Sequence, residues 1–134
     1  MNSTDTIDSA FCPIFHSAAE LIGRRWTGAI LRALFSGQSR FNDIKATIPD
    51  LTPRMLSERL KELEAEGIVT RRVIPEPLGT EYCLTPKGRA LRPVLDAISS
   101  WAYDWLTHED ANAVGSPAGD EHGWDETARI PATP

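Results

Sequence analysis

The stretch FNDIKATIPDLTPRMLSERLKELEAEGIVTRRV, residues 41–73, constrains this chain more than any other part. Thr52 is placed to cap a helix, because a hydroxyl there accepts from an otherwise orphan backbone N–H. Pro53 takes the first helical position, where a missing N–H costs nothing. Gly67 follows the last turn, where a left-handed cap favours the absence of a side chain. Between these stops Leu56, Leu60 and Leu63 fall at i, i+4 and i+7, so one narrow stripe faces inward. At about 100° per residue Arg54, Glu58 and Lys61 lie opposite, with Ser57 beside them. An ordinary surface helix has the same pattern. So does a recognition helix that is anchored by leucines and offers its N-terminal half to a DNA major groove.

The neighbouring elements decide between the two. Phe41, Ile44 and Ile48 recur at helical spacing over Phe41–Ile48, with Arg40 or Asn42 near the start, and Pro49-Asp50 ends the run. Leu51 can fill the corner. Two short helices joined by such a turn form a helix-turn-helix. Residues 68–74, rich in β-branched side chains, then lead through the loop Pro75–Gly79 to Thr80–Leu84, which alternates like a returning strand. The expected fold is mainly α with a small β-hairpin: a winged helix-turn-helix domain with flanking dimerisation helices.

The chain resembles the HxlR-type winged helix-turn-helix transcription regulators, relatives of the MarR regulators. The resemblance spans about Cys12 to Leu106. It rests on CPI at 12–14, IGRRW at 22–26, RFNDIKATIPDLTPRML at 40–56, RLKELEAEGIVTR at 59–71 and EYCLTPKGRAL at 81–91. It implies a small homodimeric bacterial protein that binds double-stranded DNA and represses or activates nearby genes, with repression the expected sense. The alternative is a winged helix used only for protein–protein contact, for which an acidic or apolar recognition face would be the signature. One departure concerns the wing. The family usually carries a longer loop with an arginine before the returning strand. Here the stretch is Pro77-Leu78-Gly79-Thr80, short and uncharged, which argues against minor-groove reading by the wing tip.

A chain of 134 residues suffices for one core. The net charge of −5 needs explaining in a DNA binder. Asp5 and Asp8 give residues 1–11 a charge of −2, and six acids against Arg129 give 108–134 a charge of −5, which leaves 12–107 at +2 of the net −5. The acidity therefore lies in the tails, and sequence-independent affinity should be low and salt-dependent. The expected organisation is a flexible N-terminus at 1–11, the winged domain at 12–107 and a disordered acidic tail at 108–134. That tail holds Gly and Pro with few apolar residues, and its Trp124 is expected in solvent. There is no run long and apolar enough to span a membrane and no signal-peptide pattern at the start, so a cytoplasmic location is expected.

For DNA contact the candidates are Arg24, Arg25, Thr52, Arg54, Ser57, Arg59, Lys61, Arg71 and Arg72. Arg54 leads, because arginine can bridge guanine O6 and N7. Glu58 can accept from cytosine or hold Arg54 in an i, i+4 pair. Arg59, at the edge of the leucine stripe, can reach a phosphate or a neighbouring acid. Arg24 and Arg25 stand at the expected start of a helix running roughly from Arg25 to Phe35, where its N-terminal amides and the two guanidinium groups can hold a phosphate; the alternative is that both arginines are merely solvated. Thr85-Pro86 should open a helix running to about Leu106 with a kink near Pro93. Its Leu91, Val94, Leu95, Ile98, Trp101, Ala102, Trp105 and Leu106 cover a wide arc, which is either all intramolecular core or partly a dimer interface. The resemblance favours the second, together with a helix over Ile14–Ile22, so Ile14, Leu91, Val94, Ile98, Trp101 and Trp105 are the interface candidates.

No catalytic constellation, cofactor motif or metal-ligand spacing is present: His16, His108 and His122 are scattered, and Cys12 and Cys83 are far apart. Cys12, beside Pro13, stands where the family commonly has a cysteine, through which some relatives sense oxidants or electrophiles. It reads either as a redox sensor for such an effector or as a half-buried thiol at the dimer seam. Cys83 reads as an incidental strand residue.

Overall fold

The computed structural model describes residues 10–75 and 79–114. Along the chain run α1 (Pro13–Gly23), α2 (Thr27–Phe35), α3 (Phe41–Thr47), α4 (Pro53–Ala65), β1 (Val69–Ile74), β2 (Gly79–Leu84), α5 (Pro86–Arg89), α6 (Arg92–Trp105) and α7 (His108–Val114). The described residues divide into two units that part between Leu95 and Asp96, inside α6.

In the first unit Ile30, Leu31 and Leu34 of α2, Ile44 of α3 and Leu56, Leu60 and Leu63 of α4 converge on one core, closed by Ile48, Leu51, Ile68, Val69, Tyr82 and Leu95. The three leucines of α4 are 0–1% exposed, as the stripe predicts. The helix ends also follow their sequence signals. Thr52 Oγ1 accepts from the Met55 N–H at 3.1 Å. Gly67 sits at φ +75, a left-handed value that strains any residue with a Cβ.

β1 and β2 pair antiparallel from Val69↔Leu84 to Ile74↔Gly79. A third segment joins them: Arg40 bridges Glu81, and the Tyr82 N–H donates to the Ser39 carbonyl at 2.7 Å. The wing is thereby tied to the entrance of α3. Thr85 adds another tie, its hydroxyl capping the Gly88 N–H at 3.0 Å and donating to the Gly67 carbonyl.

Three expectations need correction. The second helix begins at Thr27, not Arg25, because Trp26 adopts φ 76 and cannot continue a right-handed turn. The helix expected over 85–106 is broken rather than kinked: α5 stops at Arg89 and α6 restarts at Arg92. In a continuous helix Pro93 would offer no N–H to the Arg89 carbonyl and its ring would crowd that oxygen, whereas it is tolerated as the second residue of a new helix. Part of the tail expected to be disordered is ordered, since α7 spans His108–Val114. Thr107 caps it reciprocally with Asp110: the Asp110 N–H donates to Thr107 Oγ1 at 3.2 Å, and Asp110 Oδ2 accepts from the Thr107 N–H at 3.1 Å. Local capping, not apolar burial, starts this helix. The expectations for residues 1–9, most of the wing tip (76–78) and the tail at 115–134, Trp124 included, lie outside the described residues.

Candidate nucleic-acid interface

The turn between α3 and α4 runs through Asp50 at φ 66, with Leu51 driven into the core and Thr52 capping α4. With its leucines buried, α4 turns its other face outward. Arg54, in the first turn, has a side chain 88% exposed and pairs weakly with Glu58, Nε to Oε1 at 3.4 Å. Of the two roles open to Glu58, holding Arg54 is the one taken in the free chain. An exposed i, i+4 pair of this length contributes a few tenths of a kcal/mol at most, about what thermal motion supplies, so Arg54 is available to a ligand. Thr52, the N-cap of α4, and Lys61 on the helix are exposed, and Ser57, between them in sequence, is half-buried.

Arg59 differs from its neighbours. Its side chain is 13% exposed. Nε donates to the Arg25 carbonyl at 2.8 Å and Nη1 to Glu62 Oε1 at 2.9 Å. Of the two partners expected for it, a phosphate or a neighbouring acid, the acid is the one it meets here, and its Nε and Nη1 donors point into the protein. Glu62 Oε1 also accepts from Arg24 Nη1 at 2.8 Å, so Arg24 is committed to an acid as well. Arg25 lays its guanidinium 5.1 Å from the centre of the Trp26 ring. Neither arginine lies on α2, whose first residue is Thr27, so the phosphate cradle expected from helix amides and two guanidinium groups is not assembled in this arrangement.

On the wing, Arg71 Nε lies 3.9 Å from Glu64 Oε2, and Arg72 Nη2 donates to Glu81 Oε2. The Arg72 hydrogen bond holds the Glu81 carboxyl below the usual carboxylate range, and Arg40 and Ser39 act in the same direction. Arg72 is pushed above its ordinary value by the same bond. Sequence reading anticipated an acid beside Arg59 without naming Glu62, and missed Glu81 as the partner of Arg72. Glu62 was findable, standing at i+3 from Arg59, whereas Glu81 meets Arg72 only through the β1–β2 register.

Cys12 is the N-cap of α1 and is half-buried, its Sγ accepting from the Phe15 N–H at 3.5 Å. Cys83 is exposed on β2. None of the residues of α1 is buried, and Ile14 is 68% exposed. On α6 Leu95 is buried, while Val94, Ile98, Trp101 and Trp105 are exposed. Leu91, just before α6, is half-buried against the core. The arc is thus not all intramolecular core. Among the described residues, no group of three or more His, Cys, Asp or Glu side chains is placed to hold a metal ion, and no helix is long and apolar enough to cross a membrane.

A helix-turn-helix whose second helix exposes an arginine at its start, followed by a hairpin tied back to the first, defines a winged-helix DNA-binding protein. The chain belongs to the HxlR-like helix-turn-helix family, whose model matches residues 21–110. It is 50% identical over 99 residues to the HTH-type transcriptional regulator YvaP of Bacillus subtilis, covering 73% of this chain and 92% of that protein. It is 46% identical over 95 residues to the regulator YodB of the same organism, covering 70% and 85%. The structure of reduced YodB superposes with a TM-score of 0.64 at 45% identity, over 74% of this chain and 97% of YodB. The redox regulator HypR in its reduced form gives 0.63 at 36% identity, over 68% and 91%. The protein is therefore a DNA-binding transcription regulator.

Proposed function

We propose that two copies of this chain associate and present their α4 helices to successive major grooves, about 34 Å apart on one face of a duplex. Arg54 is the residue we assign to a base edge, with Ser57 and Lys61 beside it and Thr52, Arg71 and Arg72 near the phosphates. The observation that carries this reading is the contrast within α4: Leu56, Leu60 and Leu63 are sealed in the core while Arg54 is 88% exposed. Arg72 has to exchange Glu81 for a phosphate, which makes its contribution small at neutral pH. The regulatory sense we assign is repression, because occupying promoter DNA is an effect the winged domain can exert by itself.

An effector is also proposed. Structures of YodB exist for its reduced, diamide-treated and quinone-bound forms, and of HypR for its reduced and oxidised forms. By analogy with these relatives, we assign oxidant or electrophile sensing in this chain to Cys12, which is partly open to solvent at the start of α1. Footprinting on DNA upstream of the protein's own gene, with and without diamide, tests both parts. A protected pair of half-sites one helical turn apart supports the DNA reading, and the absence of any protection at low salt defeats it. Release by diamide that persists in Cys12→Ser removes the sensor role. An operator-fused reporter whose expression falls on deletion of the regulator would reverse the assigned sense.

A further inference from the structure

Burial of three leucines seats α4 but does not aim it, because apolar contact is non-directional and tolerates a few degrees of roll or tilt. Direction comes from hydrogen bonds, and the C-terminal half of α4 makes them. Arg59 Nε and Nη1 reach the Arg25 carbonyl and Glu62 Oε1, and that same oxygen accepts from Arg24 Nη1. One carboxylate oxygen thus joins a guanidinium on α4 to one in the corner between α1 and α2. With its side chain 13% exposed, Arg59 is largely withdrawn from water, so its bonds are stiffer than those of an open surface pair. At the other end, the Arg25 carbonyl belongs to the peptide that leads into Trp26. The plane of that peptide sets the Trp26 φ of 76, a value a bulky residue holds only when its surroundings enforce it. Arg59 grips the oxygen of that peptide.

We propose that Arg59 and Glu62 are positioning residues for operator reading: they clamp α4 to the α1–α2 corner and fix the angle at which Arg54 is presented, without touching DNA. This rests on the assignment of α4 to the major groove. The eight helical steps from Arg54 to Glu62 form a lever of about 12 Å, so a tilt of about 10° at the clamp moves Arg54 by about 2 Å. Bidentate contact with a guanine does not survive such a shift, whereas contact with a continuous phosphate backbone does. Loss of the clamp should therefore cost discrimination before it costs general affinity.

Full-length wild type, Arg59→Met, Arg59→Lys and Glu62→Gln are compared by fluorescence anisotropy on the footprinted operator and on a random duplex of equal length, across a salt series. Arg59→Met and Glu62→Gln are expected to weaken operator binding about tenfold while leaving random-duplex affinity and the salt slope at wild-type values. Arg59→Lys is expected to fail as a rescue, since one ammonium cannot serve both acceptors with a guanidinium's fork. Equal losses on both duplexes with about one unit less salt slope make Arg59 a phosphate contact and overturn the proposal. Full rescue by lysine, or wild-type discrimination in Glu62→Gln, also overturns it. Should Arg59→Met fail to fold, Glu62→Gln decides. A wild type that treats both duplexes alike defeats the assignment of α4, and the clamp's role falls with it.

Discussion

Two arginines five residues apart on one helix show how little residue type alone determines a role. Arg54 and Arg59 both carry a guanidinium on α4, but the first extends into solvent beside a loosely held Glu58 and the second is folded inward onto Glu62 and a backbone carbonyl. Arg54→Ala should cost about 1–3 kcal/mol of operator affinity at a single base position and leave random-duplex binding nearly unchanged. Competition titrations with operators substituted one base at a time measure this, and a uniform loss would make Arg54 a phosphate contact. Glu81 makes a second residue-scale case. Its folded-state carboxyl is held below its ordinary value, chiefly by the Arg72 hydrogen bond. The stability it contributes is therefore full above the ordinary carboxylate pKa and is lost as pH falls through the depressed folded value. Glu81→Gln should accordingly weaken protection of the β1–β2 amides at neutral pH, with the difference from wild type vanishing in acid. Hydrogen exchange followed across that pH range reads both ends.

Elements in this chain begin and end where short-range chemistry says, except where a long-range contact intervenes. The start of α4 at Pro53 and its end before Gly67 were legible because a cap, a proline and a left-handed glycine are local signals. So was the buried stripe of α4, since the helical period decides which residues face inward. The break between α5 and α6 was half legible: Pro93 announced a disturbance, but whether the helix bends or stops depends on how α5 is held. It is held closely. A Cβ on Gly88 would stand 2.2 Å from the Ile68 carbonyl oxygen, and that oxygen also accepts from the Thr85 N–H at 3.0 Å. Gly88→Ala must push α5 away from the start of β1, breaking the Thr85 contacts as it goes. A loss of about 1–3 kcal/mol is expected, visible as a lower midpoint in chemical denaturation with an unchanged slope. A wild-type midpoint would mean the two backbones can separate freely. The third strand segment at Ser39–Arg40 and the start of α2 after Trp26 were not legible at all. One depends on pairing with a strand some forty residues on, the other on a backbone angle that no local pattern of side chains announces.

At the scale of the whole molecule, the feature that a single chain leaves unexplained is apolar surface. Phe11, Ile14 and Phe15 stand exposed in and before α1, and Val94, Ile98, Trp101 and Trp105 stand exposed on α6. The α6 residues recur at 4, 3 and 4 positions, a single helical stripe, so chance scatter is a poor account of them. An exposed apolar stripe of this kind on α6 marks an interaction site on a water-facing protein. Two-fold association would cover it and would place two copies of α4 on one duplex, the arrangement a paired operator requires. Trp105 is the sharper probe of the two tryptophans because it lies at the end of α6, remote in sequence from Leu95, the one α6 residue buried in the core of the first unit. Trp105→Asp should put two unpaired charges into a symmetric interface and leave that core intact. Sedimentation velocity should then give a monomer for the variant and, if the proposed pairing holds, a dimer for wild type, with circular dichroism unchanged. Operator affinity should fall steeply, since each monomer keeps only its own half-site. A variant that sediments as a dimer would place the partner surface elsewhere, with the exposed face of α1 the next to test.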